Sequence, residues 1–370
     1  MDREHPTRRL WVRLEARRPR ALTFDGKNYN MTRGPAILLA TTCLLSLLAT
    51  SGQAGALHDA ISRSDLATAR SILDNNPDLI NAKDDFAQFT PLLVAVQEDD
   101  REMIEFLLSR NADINAACVG GNTALRWAVT LGHLDTAHFL VDHGARIDIF
   151  AAASFGDTQT VSRLLTEDPG LANPAQPVVR KPIHLAARDG HKDVVALLVN
   201  EGANPNEAGI ARAYPLHEAA RYGRADVVKY LLSLNVDVDP LDRDKRTPLD
   251  LASQYGDATV VQLLLNAGAS VQSRNWRGNT PLHCAVLGNH ADAVALLLQH
   301  KAEVNTLSDD GTPLHITAWS NGNADIAEML ISHGADVNAQ DKNGRTPLQR
   351  ATEYGKKAVA EVLLSHGASK

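Results

Sequence analysis

A chain of 370 residues, 44% hydrophobic and 22% charged, is long enough for more than one compact unit and has the composition of an ordinary soluble protein. Its formal charge of −7 hides an asymmetry: residues 1–36 hold nine Lys/Arg against four Asp/Glu, leaving 28 against 40, a net −12, in the remainder. Such an acidic body argues against general nucleic-acid binding, which neutralises many phosphates with Lys and Arg. Aromatic residues make up only 5%, and a core rich in Ala and Leu instead suits closely stacked small helices.

The first 56 residues read as an address. Residues 36–49, AILLATTCLLSLLA, form an apolar run behind Met31 and Arg33 and ahead of small residues ending at Ala56. The run is shorter than the roughly 20 residues that cross a bilayer. It fits the basic start, apolar stretch and small cleavage residues of a secretory signal, cut after Ala54 or Ala56. The expected location is therefore secreted or periplasmic, the alternatives being a cytoplasmic chain or one anchored by an uncleaved signal. Residues 1–30 fit poorly before such a signal and suggest a start at Met31. Cys43 lies inside the run and would leave with it.

From Leu57 onward the chain repeats itself. TPL or a variant starts at Thr90, Thr123, Thr247, Thr280, Thr312 and Thr346, with PIH at Pro182 and PLH at Pro215. Steps of 33 residues separate Pro182, Pro215, Pro248 and Pro281, a period that signals stacked supersecondary units. Thr in extended conformation caps a helix whose first residue is Pro. In PLHEAARYG the residues Leu216, Ala219 and Ala220 share a face before Gly223 ends the helix. ADVVKYLLSL supplies a second helix through Val227, Val228, Leu231 and Leu232, and in most units the second helix stops at Gly-Ala, as at Gly202, Gly268, Gly334 and Gly367.

These units resemble ankyrin repeats, in which a turn precedes two short antiparallel helices and TPLHxA opens the first. The resemblance covers residues 57–370 and implies an all-α solenoid. Residues 57–84 read as an opening helix pair and 85–370 as about nine repeats. The third, near 150–175, keeps both helices but lacks TPLH, which leaves its turn undefined.

NTPLHCAV, residues 279–286, sets Thr, His and Cys together as a nucleophile and base would be. Yet His184, His217, His283 and His315 share one repeated position, where Asp250 and Gln349 stand elsewhere. A structural hydrogen bond tolerates that exchange; a catalytic base does not. The family resemblance implies that this histidine links the turn of one repeat to the next. Cys284 reads as a small core residue, and Cys118, five repeats away, lies on the order of 50 Å off along such a stack, too far for a disulfide. His133, His138 and His143 recur at steps of five, off any common helix face, so no metal site is expected. No cofactor is expected either, since YGKK at 354 lacks the remainder of a phosphate loop.

The expected function is thus a non-catalytic scaffold, alternatively an accessory factor for an enzyme encoded elsewhere. By resemblance, its partner protein would lie on a concave face made by turn tips and first helices. The tips of repeats four to seven supply Arg180, Lys181, Arg212, Tyr214, Arg246, Trp276 and Arg277, together with Arg243, Lys245 and Arg274. The first-helix ends add Arg188, Arg221, Tyr222, Gln254 and Tyr255. Arg, Tyr and Trp are enriched at interface hot spots, and the basic tips on an acidic body predict a partner with an acidic surface; the chain itself is expected to be a monomer.

Overall fold

The computed structural model describes residues 53–85, 87–174, 180–320 and 322–369. The expected signal segment up to Gly52 and the upstream extension lie outside them. The chain forms two compact units, divided between Arg146 and Ile147. Every regular element among the described residues is helical, apart from one isolated bridge between Ser308 and Gly311. No described helix is long and apolar enough to cross a membrane.

The first unit stacks three helix pairs: Gln53–Ser62 with Leu66–Asn75, Pro91–Gln97 with Arg101–Ser109, and Ala124–Leu131 with Leu134–Asp142. The second unit stacks seven, beginning with Ile149–Phe155 and Thr158–Glu167. Pro182–Asp189, Pro215–Arg221, Pro248–Tyr255, Pro281–Gly288, Pro313–Trp319 and Pro347–Glu353 open the next six pairs. The expected caps are present: Thr90 accepts from the amide of Leu93 at 3.3 Å and Thr123 from Arg126 at 3.3 Å. At Thr280 and Thr312 the hydroxyl faces the Nδ1 of His283 and His315, each at 2.8 Å.

First helices are buried nearly all round, as Pro281 through Val286 show, because within each unit neighbouring first helices pack on one another, Pro281–Gly288 on both Pro248–Tyr255 and Pro313–Trp319. Small residues such as Ala285 permit that double contact. Second helices bury one stripe: Ala293, Val294, Leu297 and Leu298 point inward.

Four sets of hydrogen bonds tie consecutive pairs. The repeated histidines donate from Nε2 to a carbonyl of the next turn: His217 to Arg246 at 2.9 Å, His283 to Gly311 at 3.2 Å, His315 to Arg345 at 2.9 Å and His184 to Glu207 at 3.0 Å. His58 reaches Phe89 in the same way at 2.9 Å. At the start of the second helices, His133, His191 and Arg224 reach back to Val96, Ser154 and Arg188, at 3.1, 2.8 and 2.8 Å. Beyond those helices, Asn81, Asn115, Asn206, Asn305 and Asn338 each accept an amide of the following unit. Finally, the turns between pairs form short fingers that bond to one another, Arg243 to Ala211, Trp276 to Asp244 and Asp309 to Arg277.

Glycines close the first helices in left-handed conformation, and they also make room. A Cβ on Gly256, at φ +85°, would stand 2.1 Å from the His290 ring, and one on Gly156 would stand 2.4 Å from His191. The third repeat has no finger at its entry. Only six residues separate Asp142 from Ile149, and Asp148 takes the place of Thr, accepting from Phe150 and Ala151 at 3.0 Å each.

Candidate partner-binding face

Several fingers are small hairpins closed by a side chain at the base, whereas the one that carries Arg212 has Gly209 there and closes through the Gly209 amide on the Ala213 carbonyl at 2.7 Å. The Oδ1 atoms of Asp242, Asn275 and Asp341 each accept two amides inside their own finger, at 2.7 to 3.1 Å. This is the local reason for Asp or Asn five residues before the capping Thr. The apex two residues before that Thr is left-handed. Gly121, Gly278 and Gly344 occupy it at φ +75°, +74° and +73°, but Arg212 and Lys245 occupy it at +55° each. A left-handed backbone costs a non-glycine residue roughly 1 kcal/mol. Gln88 also stands at such an apex, where its amide donates back to Asp84 at 2.9 Å.

The structure sorts the expected site residues into three groups. Arg180 and Arg188 are interior, unlike the exposed placement expected of them: Arg180 pairs with Glu218 at 2.9 Å and Arg188 with Asp189 at 2.7 Å. Burial pushes the Glu218 carboxyl up, but the Arg180 guanidinium outweighs it and holds the group below its ordinary value. Lys181 pairs with Glu207, Arg246 with Asp242 at 2.8 Å, and Arg277 with Asp310. Tyr214 replaces the capping Thr and stacks on His217 at 5.6 Å. Gln254 is half-buried.

The second group lies at the ends of the first helices. Tyr222 and Tyr255 are 37% and 40% exposed, and Arg221 donates to the Tyr255 hydroxyl at 2.7 Å while covering its ring at 4.8 Å. The third group belongs to the fingers. Trp276 is 60% exposed, with the Arg277 guanidinium 5.3 Å from its ring centre, and Arg212 is exposed at its apex. Trp276 therefore stands in a different row from the two tyrosines. Sequence reasoning missed Leu241 and Leu307, 43% and 41% exposed in the fingers on either side of the one that carries Trp276. The available signal was an apolar residue where the corresponding finger of the last repeat carries Gln340.

The groups that suggested catalysis are joints between repeats. Cys284 is buried with its Sγ 3.9 Å from Asp250, and burial, reinforced by that carboxyl, holds its thiol far above the usual range. Burial likewise pulls His283 down to about 4 and keeps it neutral. Its Nδ1 accepts from the Thr280 amide at 3.2 Å, which fixes the proton on Nε2. Lys181 stands where the others have Thr or Tyr, and the Nδ1 of His184 has no hydrogen-bond partner among the described residues. Ser154, Asp189 and His191 also converge, but the imidazole takes the Ser154 carbonyl and the hydroxyl donates to Asp189. His133, His138 and His143 each bond a separate backbone carbonyl. Among the described residues, no cluster of three or more His, Cys, Asp or Glu is placed to hold a metal ion.

The His283→Gln substitution should destabilise the fold by about 1 kcal/mol, the worth of one hydrogen bond. The Gly311 carbonyl would still accept from the amide and hydroxyl of Ser308, at 3.0 and 2.9 Å. Chemical denaturation of the variant measures this, and a loss above about 3 kcal/mol would mean that the bond does more than link two turns.

A family profile described as Ankyrin repeats (3 copies) matches residues 57–151, 149–242, 183–275, 216–308 and 303–370. The chain belongs to the ankyrin-repeat family. It is 29% identical over 136 residues to an ankyrin repeat protein of Fowlpox virus, a match covering 36% of this chain and 20% of that one. It is 29% identical over 126 residues to ankyrin repeat and SAM domain-containing protein 6 of Danio rerio, covering 31% and 17%. Over 166 residues it is 26% identical to transient receptor potential cation channel subfamily A member 1 of Homo sapiens, covering 40% and 14%. The matches thus span a fifth or less of these relatives' length. Ankyrin repeats are typically non-catalytic modules that bind protein partners, and the repeated histidine is the inter-repeat link that the resemblance implied.

Proposed function

We propose that this ankyrin-repeat chain is an exported, monomeric, non-catalytic scaffold that holds another protein on the concave side of repeats four to seven. The observation that carries the binding site is the pair Tyr222 and Tyr255. Both stay exposed at the ends of first helices whose other residues are nearly all buried, and Arg221 braces the second of them. Rigid aromatic rings beside a held guanidinium contribute contact area with little further loss of freedom. The export reading rests on the basic start, the apolar run 36–49 and the small residues 54–56.

The test is capture of partners from the exported fraction on the immobilised chain, with N-terminal sequencing of the mature protein. A first residue at Gly55 or Leu57 is expected. The double variant Tyr222→Ala, Tyr255→Ala should weaken the captured complex at least tenfold, while Tyr354→Ala, in the last repeat, leaves it intact. Equal losses from both variants would remove the central face as the site. A mature chain that begins upstream of Met31 would remove export.

A further inference from the structure

We infer that the fingers of repeats five to eight form a docking ridge for an extended, acidic segment of a partner protein, gripped by Arg212, Lys245 and Arg274 around Trp276. This deepens the scaffold reading and rests on it, but it moves the charged contacts from the first helices to the fingertips.

Three observations lead there. The first is the conformation of the apices. Two neighbouring fingers carry Arg212 and Lys245 in the left-handed position that Gly121, Gly278 and Gly344 fill elsewhere; Gln88 also adopts it, but with its side-chain amide bonded back to Asp84 at 2.9 Å. Strain that a glycine would relieve is retained at two adjacent cations, and strained backbone of this kind clusters at sites that grip ligands.

The second is the local charge balance. The fingers' own acids are engaged: Asp242 and Asp244 by Arg246, Asp309 by Lys342, and Asp310 by Arg277. Arg212 and Lys245 are exposed and have no ion-pair partner among the described residues. Arg274 is exposed as well, held in place by its bond to the Leu307 carbonyl at 3.1 Å. The surplus charge along this edge is positive although the body as a whole is acidic.

The third is the apolar surface between those charges. Leu241, Trp276 and Leu307 are 43%, 60% and 41% exposed in three consecutive fingers. The amide of Trp276 is bonded to the carbonyl of Asp244, which ties its finger to the one that carries Lys245. Repeats lie roughly 10 Å apart and an extended chain advances about 3.3 Å per residue, so the three spacings between these four fingers match a segment of roughly nine residues. Acidic side chains would meet the three cations, and apolar ones would cover the leucines and the indole. The chain's own residues 1–36, with nine Lys/Arg against four Asp/Glu, carry the wrong charge for this ridge.

The experiment titrates the purified chain with a fluorescein-labelled peptide of alternating acidic and aromatic residues, beside a counterpart with lysine in place of the acids. The acidic peptide should bind, shift the Trp276 emission, and weaken as salt rises, while the lysine peptide should not bind. The double variant Arg212→Gly, Lys245→Gly should bind the acidic peptide at least tenfold more weakly and yet unfold at higher denaturant than the wild type, because glycine relaxes both apices. A change that merely damaged the fold would move both readouts in the same direction.

Undiminished peptide binding by this variant would overturn the inference. So would binding to phosphatidylglycerol vesicles in place of the peptide, or self-association abolished by the same variant with no peptide bound. If the variant keeps a captured protein partner at full affinity while Tyr222→Ala, Tyr255→Ala loses it, the ridge is wrong and the scaffold reading stands. If neither variant affects capture, both fall.

Discussion

Truncating Glu218 to alanine is expected to destabilise the second unit by about 3–5 kcal/mol, the usual penalty for leaving a buried partner charge uncompensated. Arg180 and Glu218 are both interior, their side chains 9% and 5% exposed, and the guanidinium donates to the carboxylate at 2.9 Å. Removing the carboxylate takes the nearest counter-charge from a buried guanidinium that cannot lose its proton at accessible pH. The double change Arg180→Met, Glu218→Leu should recover most of the loss, because apolar residues of similar size avoid the desolvation of both charges. Urea midpoints for the single and double variants decide the matter. A single variant within about 1 kcal/mol of wild type would show that water reaches the pair.

Asp250→Asn should act in the opposite direction and stabilise the protein at alkaline pH. Asp250 takes the place of the repeated histidine and is fully buried, accepting from the Thr247 amide and hydroxyl at 2.9 and 3.2 Å. Burial pushes its carboxyl up to about 7; Thr247 opposes the rise, Asp242 adds to it and Arg246 subtracts. Between pH 3.8 and 7 the folded state therefore holds a proton that the unfolded chain has lost. That contribution is complete below 3.8 and gone once the pH has risen through 7, a difference of about 4 kcal/mol. Asparagine keeps the neutral shape at every pH, so the variant should gain about 4 kcal/mol at pH 8 and nothing near pH 3.5. His184 and His283, both lowered from 6.5 to about 4 by burial, have the reverse dependence. Their contribution is complete above 6.5 and lost as the pH falls to 4. With Asp250 no longer offsetting them, the variant should be the more acid-sensitive protein. Equal stability of variant and wild type at pH 8 would show that Asp250 is ionised without penalty.

The helices were legible because their signals are local and recur. Thr90 and Thr123 cap as read, Gly202 and Gly268 turn as read, and the spacing of His217, His283 and His315 exposed them as links between turns. The binding face was less legible, since its electrostatics are set between repeats. Arg277 meets Asp310 from 33 residues downstream, and Arg180 meets Glu218 from 38. A reading of one tip at a time counts such cations as surface charge. The strain at Arg212 and Lys245 was hidden for another reason: it emerges only when each apex is aligned with Gly278 and Gly344 and its φ is known.

The glycines that end the first helices also bear on how a chain of near-identical units avoids pairing with the wrong neighbour. Gly156 leaves space for His191, Gly190 for Arg224, Gly223 for Asp257, Gly256 for His290 and Gly322 for Lys356. The hollow is the same in each case, but the group entering it differs in size and charge from joint to joint. A repeat that docked one place too early or late, or exchanged with its counterpart in another molecule, would bring the wrong side chain to the hollow and the wrong charge to its surroundings. Tandem proteins are prone to such errors during folding. The irregularity of these joints thus gives neighbouring repeats different seats, histidine recurring only at His191 and His290, and a variant with all five entering residues made identical would retain its helices while refolding into a mixture of registers.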